Sequence, residues 1–356
     1  MVDLRRKINM QAFLDTFSKY IIPEDILILA VSGWVDSMVL LDLVLRNHPK
    51  EQIIVAHFDH SLRGVESDED RLFIADFCEK RNIRFEVEKT DITSLAGEEK
   101  MSIEMAARKY RYIFLHEIAE KYQAKYIFTA HHLDDRIETA MFNLIRGTKL
   151  GGIVALSEIQ NSKFKIHNGE ELARIFRPLL HIQKSQILEY AREQSIDYHE
   201  DSTNTDTTYL RNHLRHTVLP EFERINPEYR RAIENLIEYS GEVQDWIDDQ
   251  VREWLYIQAE SFKNKSLEFP HQNQESRILN QSPFLFLIPD FREQPQFFQR
   301  EVVRYLYEEA NAGTIWLSEW LIEELIRFIT EGSNSYGIRE VKKLRLERRG
   351  ERILWG

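Results

Sequence analysis

Ile26-Leu27-Ile28-Leu29-Ala30-Val31-Ser32-Gly33-Trp34-Val35-Asp36-Ser37 joins two kinds of sequence across one turn. The apolar run before Ser32 lacks polar alternation, which predicts a short parallel strand buried on both faces. After the turn, Met38, Leu40, Leu41 and Leu45 recur at helical spacing. Residues 32–37 therefore lie at a helix N-terminus, where free N–H groups and the positive end of the helix dipole favour an anion. The hydroxyls of Ser32 and Ser37 can add hydrogen bonds, so the turn reads as a phosphate loop. Asp36 repels phosphate unless a cation lies between them, which makes it a candidate Mg2+ ligand. On this stretch alone, an ordinary strand-to-helix turn capped by Ser or Asp stays open.

The chain has 356 residues, 43% hydrophobic and 30% charged, enough for two or three soluble domains with a sizeable core. No segment approaches the ~20 apolar residues of a membrane span. The basic residues Arg5, Arg6 and Lys7 have no apolar signal region behind them, so a cytoplasmic protein is expected. A lone cysteine, Cys78, excludes internal disulfides and Cys-x-x-Cys metal or sulfur chemistry, and its apolar helical surroundings predict a buried thiol. The net charge of −12 argues against a broad nucleic-acid surface, yet its distribution is uneven. Residues 221–255 hold ten carboxylates against four arginines, whereas 339–352 hold seven Lys or Arg against three Glu. One basic face is enough to meet a polyanion, and a solvated surface is the alternative for either run.

Up to about residue 215 the pattern alternates strand and helix. Strands are predicted at 26–31, 53–58, 84–88, 126–130 and 174–176, with helices near 37–47, 67–82, 102–123, 134–146 and 183–194. Such alternation implies an α/β fold, a doubly wound parallel sheet of Rossmann type over residues 1–215. Residues 216–356 read as a mainly helical second domain, with helices at 227–259, 297–310 and 318–330, a polar stretch at 262–274 and a basic terminal strand pair at 343–355. Ligands of doubly wound sheets bind at the carboxyl ends of strands, and Ser32, His57, His60 and the segment 131–135 all fall there.

That last segment belongs to Thr129-Ala130-His131-His132-Leu133-Asp134-Asp135-Arg136-Ile137-Glu138-Thr139. Asp134 and Glu138 are four apart and share a helix face; Asp135 and Glu138 nearly do. Solvated carboxylates at a helix start would also be favoured by the dipole. A zinc or manganese hydrolase is another reading of clustered His and Asp, but no His-Glu-x-x-His spacing is present, and Mg2+ with a nucleotide is more economical beside a phosphate loop. Arg108 and Arg111, three apart, suit gripping phosphate or neutralising a transition state, or else an ion pair with Glu104.

The turn resembles the Ser-Gly-Gly-x-Asp-Ser loop of the ATP pyrophosphatases. Its companions, in order, are His-x-Leu-Arg at 60–63, Glu-x-Ala-Ala-Arg-x-x-Arg-Tyr at 104–112, His-His-x-Asp-Asp-x-x-Glu-Thr at 131–139, Arg-Gly-Thr-x-Leu-Gly-Gly at 146–152, Arg-Pro-Leu-Leu at 177–180, Glu-Asp-Ser-Thr-Asn at 200–204 and Arg-Asn-x-x-Arg at 211–215. Together these resemble the tRNA(Ile)-lysidine synthetase family over residues 26–220; the remainder matches only in general character. The resemblance implies a ligase that uses ATP to adenylate C2 of the wobble cytidine in an isoleucine tRNA with a CAU anticodon, and then joins free lysine to it.

On that resemblance Ser32, Gly33, Trp34, Val35, Asp36, Ser37 and His57 would bind ATP, with Mg2+ held through Asp36. Asp36, Arg108, Arg111, Asp135 and Glu138 would be catalytic. Arg111, with Arg108 behind it, would stabilise departing pyrophosphate, while Asp135 and Glu138 would receive the lysine ammonium. His60, Arg63, His132, Asp134, Arg211, Asn212 and Arg215 would lie on the substrate and RNA side. No membrane partner is implied, and a homodimer stays open. The chain departs from the family pattern at Trp34, which replaces the second loop glycine, and at Arg136, where Gln is usual. If the turn needs a positive φ at 34, the indole strains the loop and impairs ATP binding. Another ATP pyrophosphatase, amidating or tRNA-modifying, and an inactive tRNA-binding homologue are the rival readings.

Overall fold

A computed structural model describes residues 10–62, 64–154, 156–160, 173–199, 210–263, 284–311, 317–331 and 336–355. The chain divides into two compact units, Met1–Ser240 and Gly241–Gly356. This division falls later than the change of sequence style near residue 215.

In the first unit α1 (Met10–Tyr20) precedes β1 (Leu27–Ala30), α2 (Val35–Asn47), β2 (Ile53–Asp59), α3 (Val65–Arg81) and β3 (Arg84–Lys89). Next come α4 (Ile92–Glu98), α5 (Ile103–Lys121), β4 (Tyr126–Phe128), α6 (Leu133–Ile145), α7 (Leu150–Val154), β5 (Ile159–Gln160), β6 (Arg174–Phe176) and α8 (Lys184–Glu193). A run of α9 (Leu210–His213), a π-helical turn (Leu214–Val218) and α10 (Leu219–Ile225) leads into α11 (Tyr229–Lys263).

The six strands lie in the order β3-β2-β1-β4-β6-β5, parallel except for β5 at the edge. The order reverses at β1, between β2 and β4, which puts a ligand crevice at the carboxyl end of β1. Alternation along β1 explains the two helical layers. Leu27 and Leu29 pack with Phe13, Phe17, Met38, Ile74 and Ile187 from α1, α2, α3 and α8, whereas Ile28 packs with Ile92, Ala96 and Leu115 from α4 and α5. Both layers are buried, so the absence of polar alternation at 26–31 follows from burial on both faces. Truncating Leu29 to Ala would cost about 2–5 kcal/mol. Cys78 lies in the first layer, and burial pushes its thiol up to about 12.

The second unit holds β7 (Phe284–Leu287), α12 (Ile288–Glu293), α13 (Gln296–Ala310), α14 (Glu319–Glu331), β8 (Gly337–Val341), β9 (Leu344–Arg349) and β10 (Arg352–Trp355). The expected terminal strand pair is here part of a four-stranded antiparallel sheet in the order β7-β10-β9-β8. The apolar strand β7 completes it, burying Phe286 against Trp254 and Phe291. Several of the basic residues of 339–352 are already paired: Arg339 with Glu324, Arg345 with Glu340 and Arg349 with Glu347.

Candidate active site

The phosphate loop is held by its own hydroxyls. The Ser37 hydroxyl donates to the Trp34 carbonyl at 2.9 Å and accepts the Ser32 N–H at 3.2 Å, and it lies 3.1 Å from the Ser32 hydroxyl. Below the loop, His57 Nδ1 meets the Val31 carbonyl at 2.9 Å, and burial holds the imidazole below its usual range. Gly33 has φ +89°, a left-handed conformation that L side chains avoid. An added Cβ would touch Ile74 at 3.6 Å, an ordinary contact, so the backbone rather than space demands glycine here. Trp34 has φ −83° and ψ 161°, extended geometry open to any residue. The expectation of strain at 34 is therefore corrected: the loop needs one glycine, at 33, and tolerates a side chain at the next position. The loop is also fastened from outside. The Gly33 carbonyl accepts the His199 N–H at 3.0 Å, while His199 contacts Asp70 at 2.6 Å and stacks on Phe73.

Facing the loop, His132 caps α6. The Asp135 N–H donates to His132 Nδ1 at 3.4 Å, and the His132 N–H donates to Asp135 Oδ2 at 3.1 Å. This reciprocal cap explains why both residues stand at the helix start. It also brings α6 to the loop, with His132 Nε2 3.8 Å from Asp36 Oδ1. The same Asp36 oxygen accepts from Lys184 Nζ at 2.6 Å. Asp134 turns to structural work: it accepts the Lys184 N–H at 2.8 Å and Arg230 Nε at 2.9 Å, joining α6 to α8 and α11.

Glu138 is 1% exposed, and its charge is met by Arg215, whose Nε and Nη2 lie 2.6 and 2.9 Å from the two carboxylate oxygens. Nη2 also lies 3.5 Å from Asp135 Oδ1. Burial works against the Arg215 charge, but Glu138, Asp135 and Asp36 outweigh it and hold the guanidinium above its usual range.

A second cationic group lies under α5. Arg108 and Arg111 stand 5.2 and 5.4 Å from the centre of the buried Tyr112 ring. Arg177 is fully buried and donates to the Ser157 carbonyl at 2.9 Å and to Gln160 Oε1 at 2.8 Å. Burial raises the Tyr112 hydroxyl, but Arg111, Arg108 and Arg177 together outweigh it, so its pKa falls. His131 is pushed down by burial and then by Arg177, Arg111 and Arg108, against the pull of Asp135. His131, 2.9 Å from the Thr129 hydroxyl, thus feels both the guanidinium cluster and the Asp135 carboxylate and is held neutral.

The loop, His132, Asp135 and Glu138 come together in one place, and Arg215, expected on the RNA side, joins them as the partner of Glu138, while the charges of Arg108 and Arg111 act on the neighbouring His131. His60 packs edge-on against Phe58 and Asn212 lies in α9. Arg63 and the motif at 200–204 lie outside the described residues, and only the helical backbone of Arg211 is described. Lys184 and Arg230 were not foreseen, because a cation on an amphipathic helix carries no sign of its partner. Arg177 had a signal in its Arg-Pro-Leu-Leu motif but no role attached to it. Arg136 is buried, with Nη1 3.8 Å from both Glu234 and Glu238, and burial lowers its pKa.

The PP-loop domain family matches residues 5–222, more than half of the chain. This chain belongs to the PP-loop family. The PP-loop chain is 37% identical over 246 residues to the tRNA(Ile)-lysidine synthase of Thermosipho africanus, covering 68% of this chain and 55% of that protein. It is 32% identical over 292 residues to the tRNA(Ile)-lysidine synthase of Bacillus subtilis, covering 81% and 57%. It thus spans about half the length of the curated relatives it matches. Among solved structures, a tRNA thiolase of Methanococcus maripaludis shares the PP-loop fold, with a TM-score of 0.52 at 16% identity over 64% of this chain and 78% of that one. No described helix is long and apolar enough to cross a membrane.

Proposed function

We propose that this PP-loop protein is an ATP-dependent ligase that adenylates C2 of the wobble cytidine in an isoleucine tRNA with a CAU anticodon and joins free lysine to form lysidine. One observation carries the reading: a phosphate loop faces a carboxylate pair, buried Glu138 and half-buried Asp135, that already holds an alkyl-chain cation. A lysine ammonium needs the same partner. The names of the relatives supply the substrate.

Ser32, Gly33 and Ser37 hold the triphosphate, with its anionic oxygens toward the start of α2. The donor set fits a divalent cation, since Asp36 is a carboxylate already met by a positive group, Lys184 Nζ. Mg2+, when bound there, would screen the phosphates from Asp36 and from one another. The cytidine O2 attacks the α-phosphorus and pyrophosphate leaves, its charge met by Arg108 and Arg111. The lysine ε-ammonium, held by Glu138 and Asp135, gives up a proton to a carboxylate; the free amine then attacks C2, and AMP departs with the former O2. Residues 216–356, with their helices and C-terminal antiparallel sheet, form the tRNA-binding part, and the protein acts in the cytoplasm. The inactive-homologue reading loses one motive, backbone strain, because Trp34 sits in ordinary backbone geometry.

The test separates the half-reactions. With ATP labelled in the α-phosphate and a CAU-anticodon tRNA, label should enter the RNA as AMP without lysine and leave as free AMP when lysine is added. Glu138→Gln should slow the second step by tenfold or more while changing the first by less than threefold. Equal losses in both steps, or label that never enters RNA, would refute the assignment.

A further inference from the structure

Arg136, in the first turn of α6, is buried with donors to spare. Its side chain is 8% exposed, Nε and Nη1 have no hydrogen-bond partner among the described residues, and Nη1 lies 3.8 Å from Glu234 Oε1 and from Glu238 Oε1, beyond hydrogen-bond reach. The two glutamates stand four apart on α11 and so share a face. His181, in the turn between β6 and α8, completes the group: its Nδ1 is 2.8 Å from Glu234 Oε1 and 3.9 Å from Glu238 Oε1. All four residues belong to the first unit. We propose that His181, Glu234 and Glu238 form a binding site for a divalent transition-metal ion of the zinc class, with Arg136 as the donor that holds the two carboxylates in place.

The three donor atoms lie within 4.8 Å of one another. Ligands around a tetrahedral ion with bonds of about 2.0–2.1 Å stand about 3.3 Å apart, and the two distances from Nδ1 fall on either side of that value. An imidazole beside two carboxylates suits zinc and its neighbours, whereas Mg2+ and Ca2+ take oxygen ligands. A carboxylate only accepts, so Nδ1 carries the proton toward Glu234, and an ion would take the place of that proton. His181 and Glu238 are exposed, which leaves water to fill the fourth position. Arg136 is the independent sign of a ligand. Carboxylates that bind an ion are themselves hydrogen-bonded, because an oxygen given to the metal leaves the other turned toward a donor. The idle Nη1, equally far from both glutamates, is such a donor. The charges acting on Arg136 are those of Glu234, Glu238 and Glu158, three negative against its one positive, and a divalent ion cancels the excess of two. His181 stands three residues before Lys184, so the ion would tie α11 to the end of α8 that meets Asp36. The site is independent of the lysidine-forming reading.

The test uses the full chain, stripped of metal with a chelator and held in excess Mg2+ so that binding at Asp36 is not counted, with Co2+ as a visible substitute for Zn2+. One Co2+ per chain should bind with the intense visible absorption of a four-coordinate ion, and an equivalent of Zn2+ should remove it. His181→Ala and Glu238→Gln, both at exposed positions, should each weaken Co2+ binding at least tenfold. Zn2+ should raise the melting temperature of the unaltered protein and leave that of His181→Ala unchanged. Co2+ that fails to bind the unaltered protein in excess Mg2+ overturns the site, and that titration needs no variant. Binding that both folded variants leave within twofold of the unaltered protein, or a rise in melting temperature shared by His181→Ala, overturns it as well, since the ion then sits elsewhere.

Discussion

Replacing Lys184 with Met tests how the loop admits a divalent cation. Lys184 Nζ lies 2.6 Å from Asp36 Oδ1, with 36% of the Lys side chain and 23% of the Asp side chain exposed. At that exposure water screens the pair strongly, and its net worth is about 1 kcal/mol. A metal ion that needs the same oxygen must first displace the amine, so its affinity is lowered by that amount, about fivefold. Met keeps the apolar stem and removes the competitor. Lys184→Met should therefore bind Mn2+, used as a paramagnetic substitute for Mg2+, about fivefold more tightly in a titration followed by electron spin resonance. Its affinity for ATP should fall, because a cation within reach of the phosphates has been lost. Opposite signs distinguish a competitor from a structural brace, whose removal would weaken both. Mn2+ binding that is unchanged or weaker in a folded variant would refute the reasoning.

Gly33→Ala should lower stability by about 1–2 kcal/mol through its left-handed φ and weaken ATP binding, as thermal unfolding and ATP titration would show. Trp34→Gly should bring no gain: the position is unstrained, so the change removes a half-buried indole and frees the chain, costing about 1–3 kcal/mol, and an ATP affinity tenfold above that of the unaltered protein would refute this. Burial pushes His116 down from its ordinary value of 6.5 to about 4. The unfolded chain therefore takes up a proton that the folded one refuses, so this contribution to stability is intact above about pH 6.5 and is lost progressively toward about pH 4, on the order of 3 kcal/mol in total. Urea unfolding across that range should show the slope, and His116→Phe should flatten it.

The sheet was legible because its central strands are buried on both faces: an unbroken apolar run such as 26–31 has few other places to go. The carboxylate helix was legible for a related reason, since Leu133, Ile137 and Ala140 mark a buried stripe and leave Asp135 and Glu138 on the other side. What escaped was everything fixed by long-range pairing. Strand β5 is two residues long and exists only because β6 has a free edge, and β7 is an apolar run whose partner, β10, lies far along the chain. Lys184 and Arg230 carry no local mark of the acids they meet. The expectation of strain at Trp34 does not hold because a motif records which residues occur, not which of them bears the positive φ; in this loop that burden falls on Gly33.

The hydrogen bond from His199 to the Gly33 carbonyl has a consequence for assembly. The loop is encoded near the start of the chain, yet one of its fastenings comes from a residue that leaves the ribosome much later, after every strand of the parallel sheet. Chains emerge at about 5–20 residues per second, so the central strands can pair several seconds before the loop is secured. A nascent chain stopped short of His199 would hold β1 and α2 but a loosely set phosphate loop. Competence to bind nucleotide should arrive late and abruptly in synthesis, after the sheet that carries it.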